Sequence, residues 1–236
     1  MTAKFNLYDF IANLVPGLTF LWAWHRLGKL AGWDSPFPMS GQLAETVVLI
    51  VLSYVTGLML QALAECLIER QVLFRIWGGF PSARWLLPDD AKFSAAVKQR
   101  ILDLIAERFK VATTPHLPEG TSPEQQRGLR LWKNQELFDL CYNHVEHLNP
   151  RPPILNAQYG LFRCLLTTFA LLGLLAFVLG LWNCLCPLPN PGPFLFLAAF
   201  FAGLSWLCYA RCKKGAQDFA KAVYDLFISD AAKGSA

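Results

Sequence analysis

The chain has 236 residues, 54% of them apolar and 16% charged, with a mean hydropathy of +0.34 and a net charge of +4. Soluble domains carry about 25% charged residues, so part of this chain is built for a solvent other than water, and so small a net charge argues against direct binding of nucleic acid. The seven cysteines (66, 141, 164, 184, 186, 208 and 212) are odd in number and scattered through or beside apolar runs, which excludes a secreted disulfide framework; they read as small apolar fillers.

Phe5 to Trp24 is the first candidate membrane span, with Asp9 its only charged residue. Only Lys4 precedes the run, and Trp22-Ala23-Trp24-His25-Arg26 offers no small-x-small cleavage site, so a retained span rather than a cleaved leader is expected. The span contains Asn13 and the pair Pro16-Gly17. A proline in mid-helix frees a backbone carbonyl and kinks the helix. Two readings follow: a broken helix lining a path for ions, or a packing kink against the second span, of which the second is preferred. Gly32 to Gly41 reads as a loop, and Thr46 to Ala64 as a second span, uncharged and carrying Ser53, Tyr54, Thr56 and Gly57. Small and polar residues on a span usually face other helices.

Glu65 to Arg163 changes character: it holds 13 Lys and Arg and 11 Asp and Glu. It is expected to be a water-exposed helical module. Phe80 to Pro88 is expected to lie on the membrane surface, and Asp89-Asp90 to open a helix with the apolar stripe Phe93, Val97, Ile101, Leu104, Ile105 and Phe109. Ser122-Pro123-Glu124-Gln125 is a capping box with proline at the first helical position. The helix it starts is expected to bury Leu129, Trp132, Leu137, Leu140, Cys141, Val145 and Leu148.

From Cys164 to Ala210 there is no Asp, Glu, Lys, Arg or His in 47 residues. A water-soluble helix has to show one polar face, and each half of this stretch approaches the roughly 17–25 helical residues that cross a hydrocarbon core. The stretch reads as a transmembrane hairpin turning at Pro187 to Pro193. Arg211, Lys213 and Lys214 follow it, and Ala216 to Asp230 is an amphipathic tail helix with Phe219, Val223, Leu226 and Phe227 on one face.

The expected fold is therefore all-α and integral to a membrane: four transmembrane helices with a cytoplasmic helical module between the second and third. The divisions are 1–64 (first helix pair), 65–163 (module), 164–210 (hairpin) and 211–236 (tail). Four spans place both termini and the module on one side, which receives 19 of the 21 Lys and Arg. Cytoplasmic segments are enriched in these residues, so both termini are expected in the cytoplasm of a bacterial inner-membrane protein.

Asp9 and Arg163 each sit about one turn inside the cytoplasmic end of an apolar span, where a charge is costly and a functional role is the default; a pair between them is one expectation, separate contacts with interfacial water the other. Cys141-x-x-His144-x-x-His147 has helical spacing and ligand types that suit zinc, but Cys141 lies on the apolar stripe with no second Cys/His pair nearby, so no metal is expected. No P-loop, Gly-x-Ser-x-Gly or His-Glu-x-x-His occurs. No cofactor and no enzymatic activity are expected, a lipid-modifying enzyme being the least favoured reading.

The opening Tyr8-Asp9-Phe10-Ile11-Ala12-Asn13-Leu14-Val15-Pro16-Gly17, with Tyr159-Gly160-Leu161-Phe162-Arg163 at the start of the third span, resembles a loose group of uncharacterised bacterial four-helix membrane proteins with a Tyr-Asp…Leu-x-Pro-Gly opening. Proteins of this kind occur in anti-phage loci, as membrane accessories of type VI CRISPR systems or the membrane subunit of Kiwa. The resemblance implies a defence role: sensing membrane disturbance, or damaging the host membrane. The expected function is a membrane effector or sensor subunit, pore formation included, working with the lipid bilayer, copies of itself and a soluble cytosolic protein. In it Pro16-Gly17, with Asn13, would bend, and Asp9 with Arg163 would link module to membrane. The alternative is a non-conducting scaffold that recruits a cytosolic enzyme.

Overall fold

The computed structural model describes residues 7–33, 43–116, 118, 120–185 and 191–234. Most of the loop expected at Gly32–Gly41 and of the turn expected at Pro187–Pro193 lies outside them. All regular structure among the described residues is helical: α1 (Leu7–Leu30), α2 (Leu43–Leu63), a π-helix that continues it (Ala64–Leu73), α3 (Phe74–Trp77), α4 (Pro81–Arg84), α5 (Ala95–Phe109), α6 (Pro123–Val145), α7 (Arg151–Leu185) and α8 (Gly192–Gly234).

Among the described residues, three helices are long and apolar enough to cross a membrane: Glu45–Glu69, Arg151–Leu185 and Gly192–Lys233. Helix α1 forms where the first span was expected but is not among the three. Asp9, Asn13, Pro16, His25, Arg26 and Lys29 dilute its apolar run. The fourth expected span and the tail helix are one 43-residue helix, α8. Nothing between Ala210 and Ala216 stops it, since Arg, Lys and Ala favour helix and one glycine costs only about 1 kcal/mol.

The chain divides into two compact units, Met1–Arg70 with Ala157–Lys213, and Gln71–Asn156 with Lys214–Ala236. The first packs Ala23 and Leu27 of α1 with Leu172 and Ala176 of α7 and Phe194 and Phe201 of α8. Glycines set the α7–α8 approach: a methyl at Gly173 would lie 3.4 Å from Phe201 Cβ, and one at Gly180 would lie 2.8 Å from Leu195. The outer surface of this unit is apolar, with Val48, Val51 and Met59 of α2, Leu174 and Trp182 of α7, and Phe196, Trp206 and Leu207 of α8 all exposed. Contiguous apolar surface on this scale is what a bilayer covers.

The second unit has a core of the opposite kind, apolar within and charged without. Trp85 and Leu86, Ile101 and Ile105 of α5, Leu137, Phe138, Cys141 and Val145 of α6, and Ala220, Val223, Tyr224 and Phe227 of α8 are buried together. Helix α6 starts at the expected capping box: Ser122 Oγ accepts from the Gln125 amide at 3.3 Å and the Gln125 side chain accepts from the Ser122 amide at 3.1 Å. The tail face formed by Val223 and Phe227, joined by Ala220 and Tyr224, closes this core.

Three local expectations are corrected. Phe80–Pro88 does not lie on a surface: Trp85 and Leu87 are each 1% exposed. The segment is drawn inward by polar partners, with Asn134 Nδ2 donating to the Ala83 carbonyl at 2.9 Å and the Tyr224 hydroxyl donating to the Ser82 carbonyl at 2.5 Å. Asp89-Asp90 opens no helix; Ser94 caps α5 by accepting from the Val97 amide. Asp90 instead takes Arg84 Nε at 2.8 Å and Asp89 takes Arg127 Nη1 at 2.5 Å. The buried face of α6 runs through Leu131, Asn134, Leu137, Phe138, Cys141 and Val145, so Leu129, Trp132 and Leu148 point outward. The rotation follows from Asn134, which finds a buried acceptor in Ala83; in α5 likewise Val97 is exposed and Lys98 is buried.

Candidate functional site

The residues singled out in α1 converge on its crossing with α2. Asn13, Pro16 and Gly17 share one helical face and are all buried, whereas Ile11, Val15 and Leu18 are exposed. The approach is backbone to backbone. A methyl placed on Gly17 would fall onto the Ser53 carbonyl oxygen and 2.7 Å from the Gly57 amide nitrogen, and one placed on Gly57 would fall onto the Asn13 carbonyl. Phe10 stacks on Tyr54 at 5.3 Å beside the crossing. Ser53 is fully buried and its hydroxyl finds no hydrogen-bond partner among the described residues. Pro16 thus sits in a close-packed helix pair. Cys164 Sγ lies 3.8 Å from the Gly57 carbonyl, bringing α7 to the same point.

Arg163 forms the second centre. Its guanidinium pairs with Glu69 of the π-helix, lies 5.5 Å over the Tyr159 ring one turn before it, and has Glu65 and Cys212 within electrostatic reach. Both side chains of the pair are largely buried, at 12% and 19% exposed. The centre is incompletely satisfied: Glu69 Oε2 takes Arg163 Nη1, but Arg163 Nε and the Tyr159 hydroxyl are buried without a hydrogen-bond partner among the described residues. Removing one partner of a buried pair generally costs about 3–5 kcal/mol, because the other charge is left without compensation. The carboxylate on Arg163 is therefore Glu69; the side chain of Asp9 lies outside the described residues. Sequence reasoning passed over Glu69 because it sits in a charged stretch. The available signal was Glu65 and Glu69 spaced four apart just past one span, facing the single arginine at the start of another.

The Cys141, His144 and His147 trio does not converge. Cys141 is fully buried in the core of the second unit, where burial pushes its thiol up to about 12 and keeps it protonated. His144 Nε2 meets Asp230 Oδ2 at 2.8 Å, and His147 is exposed beside Glu146. No group of three His, Cys, Asp or Glu among the described residues is placed to hold a metal ion.

No family model, curated protein or solved structure matches this chain.

Proposed function

We propose that the protein is a multi-pass component of a bacterial inner membrane, a non-enzymatic effector or sensor whose second unit receives a soluble partner and whose membrane helices respond. The observation that carries this reading is the division of labour along the chain. A unit with a lipid-type surface and a unit with a water-type surface exchange the chain three times, at 70/71, 156/157 and 213/214. Each crossing falls inside continuous helix: the π-helix, α7 and α8. Helical connections at every crossing suit the passage of a signal better than flexible tethers.

In this reading α1, held to α2 by the Gly17–Gly57 approach, is a fourth transmembrane helix, and both termini are cytoplasmic. Copies of the chain assemble through the exposed apolar faces, and response includes opening a conducting path. Anti-phage defence is the setting that the Tyr8–Gly17 resemblance implies.

The test is ion flux from liposomes carrying the purified protein, alone and with its soluble partner. Flux that appears or changes with the partner supports an effector. Partner binding without flux under any condition replaces it with the non-conducting scaffold.

A further inference from the structure

The segment Ala64–Leu73 reads Ala-Glu-Cys-Leu-Ile-Glu-Arg-Gln-Val-Leu. It has no glycine or proline, and most of its residues are good α-helix formers. Yet all ten residues form π-helix, which in proteins is rare, is mostly limited to single turns, and gathers at functional sites. Local preference therefore opposes the observed form, and something outside the segment has to hold it. The contact in place is the Glu69–Arg163 pair, buried and reaching to α7.

Two details mark this contact as one of two states. Arg163 Nε and the neighbouring Tyr159 hydroxyl remain without hydrogen-bond partners among the described residues, and a partly satisfied buried network is costly to keep. Glu65, four residues before Glu69, is within electrostatic reach of the same guanidinium. Because Glu65 lies at the start of the segment, a change of helical register moves it little, whereas Glu69 turns with every residue that precedes it.

We propose that Ala64–Leu73 is a two-state segment, held in π register by the Glu69–Arg163 pair and relaxing to α-helix when Arg163 passes from Glu69 to Glu65. In the relaxed state Glu69 swings round the helix axis away from α7, and the segment gains the shorter hydrogen-bonded ring that its composition favours. This stands independently of whether the protein conducts.

Two positions report the change within the first unit. Cys66 is an exposed native thiol inside the segment. Gly160, on α7, has open space where a side chain would go. Spin labels on Cys66 and on a cysteine at Gly160 (G160C), with the other six cysteines replaced, give a distance in the full-length protein in lipid nanodiscs. One narrow distance is expected for the parent. Glu69→Gln and Arg163→Gln should each shift it or split it in two, Glu65→Gln should leave it narrow, and the exchange Glu69→Arg with Arg163→Glu should restore it. The parent distance persisting in Glu69→Gln overturns the proposal, as does a folded exchange variant that fails to restore it. If Glu69→Gln yields no folded protein, Glu69→Asp shortens the reach by one methylene and is read the same way.

Discussion

Lys98 shows how one side chain in the second unit decides a local fold. Its amine is buried and donates to the Leu87 and Asp90 carbonyls, each at 2.5 Å, with the Pro88 carbonyl at 3.4 Å. The turn before α5 offers the Leu87 carbonyl the Asp90 amide at 3.3 Å, and the lysine supplies the donor for the Asp90 carbonyl. Lys98→Met keeps the bulk and removes the donors. Unsatisfied buried acceptors cost about 1–3 kcal/mol in general, so a loss of that size is expected in chemical unfolding of the second unit, while Lys92→Met, at an exposed position, should cost far less. Asp230 is the second such case. The hydrogen bond from His144 holds its carboxyl below the usual carboxylate range, with smaller help from the charges of His144, Arg108 and Lys233. A carboxyl lowered in the folded state contributes stability that is complete above the unfolded value, about pH 4, and is lost as pH falls through the lowered folded value. Asp230→Asn should therefore flatten the acid limb of stability against pH, as read from Tm between pH 7 and pH 2. Neither residue was legible in the sequence: Lys98 acts on carbonyls of an irregular turn that no sequence pattern announces, and Asp230 acts through His144, far along the chain. The Ser122–Gln125 box was legible because both of its hydrogen bonds close within three residues.

At the scale of elements, the α1–α2 crossing is the tightest contact described. Gly17→Ala sets a methyl against the Ser53 carbonyl, backbone that cannot turn aside. Overpacking generally costs about 1–3 kcal/mol, and a fall of several degrees in Tm is expected in detergent. Gly203→Ala, in α8 with nothing within 4 Å of the added carbon, should leave Tm unchanged. The presence and kind of the long helices could be read from runs of apolar residues, since lipid demands such runs of the chain itself. Which face of a helix turned inward was less readable. In α6, Leu129 and Trp132 fit a helical stripe as well as Leu131 and Phe138 do, and only the distant Ala83 carbonyl, which pairs with Asn134, breaks the tie. The π-helix left no mark in composition, because its residues are those of an ordinary α-helix.

For the molecule as a whole, the native thiols measure its disposition across a bilayer. Cys66 is exposed just past α2 and Cys184 is exposed at the far end of α7. With Cys186 replaced, an impermeant maleimide added to sealed right-side-out vesicles should label Cys184 and leave Cys66 unlabelled; the reverse result would invert the proposed orientation. Because α2, α7 and α8 alone return the C-terminus to the side of Cys66, that assay says nothing of α1. A tag on each end does: both tags protected together mean that α1 crosses, and only the C-terminal tag protected means that it does not.

The outward turn of Trp132, 69% exposed on a unit whose Trp85 is 1% exposed, gives the protein an optical handle. Aqueous iodide should quench the fluorescence of Trp132 and leave that of Trp85 intact, while Trp182 and Trp206 should answer to brominated lipid instead. Any partner that settles over this face of α6 should dim the response to iodide, so that docking becomes visible without attaching a dye.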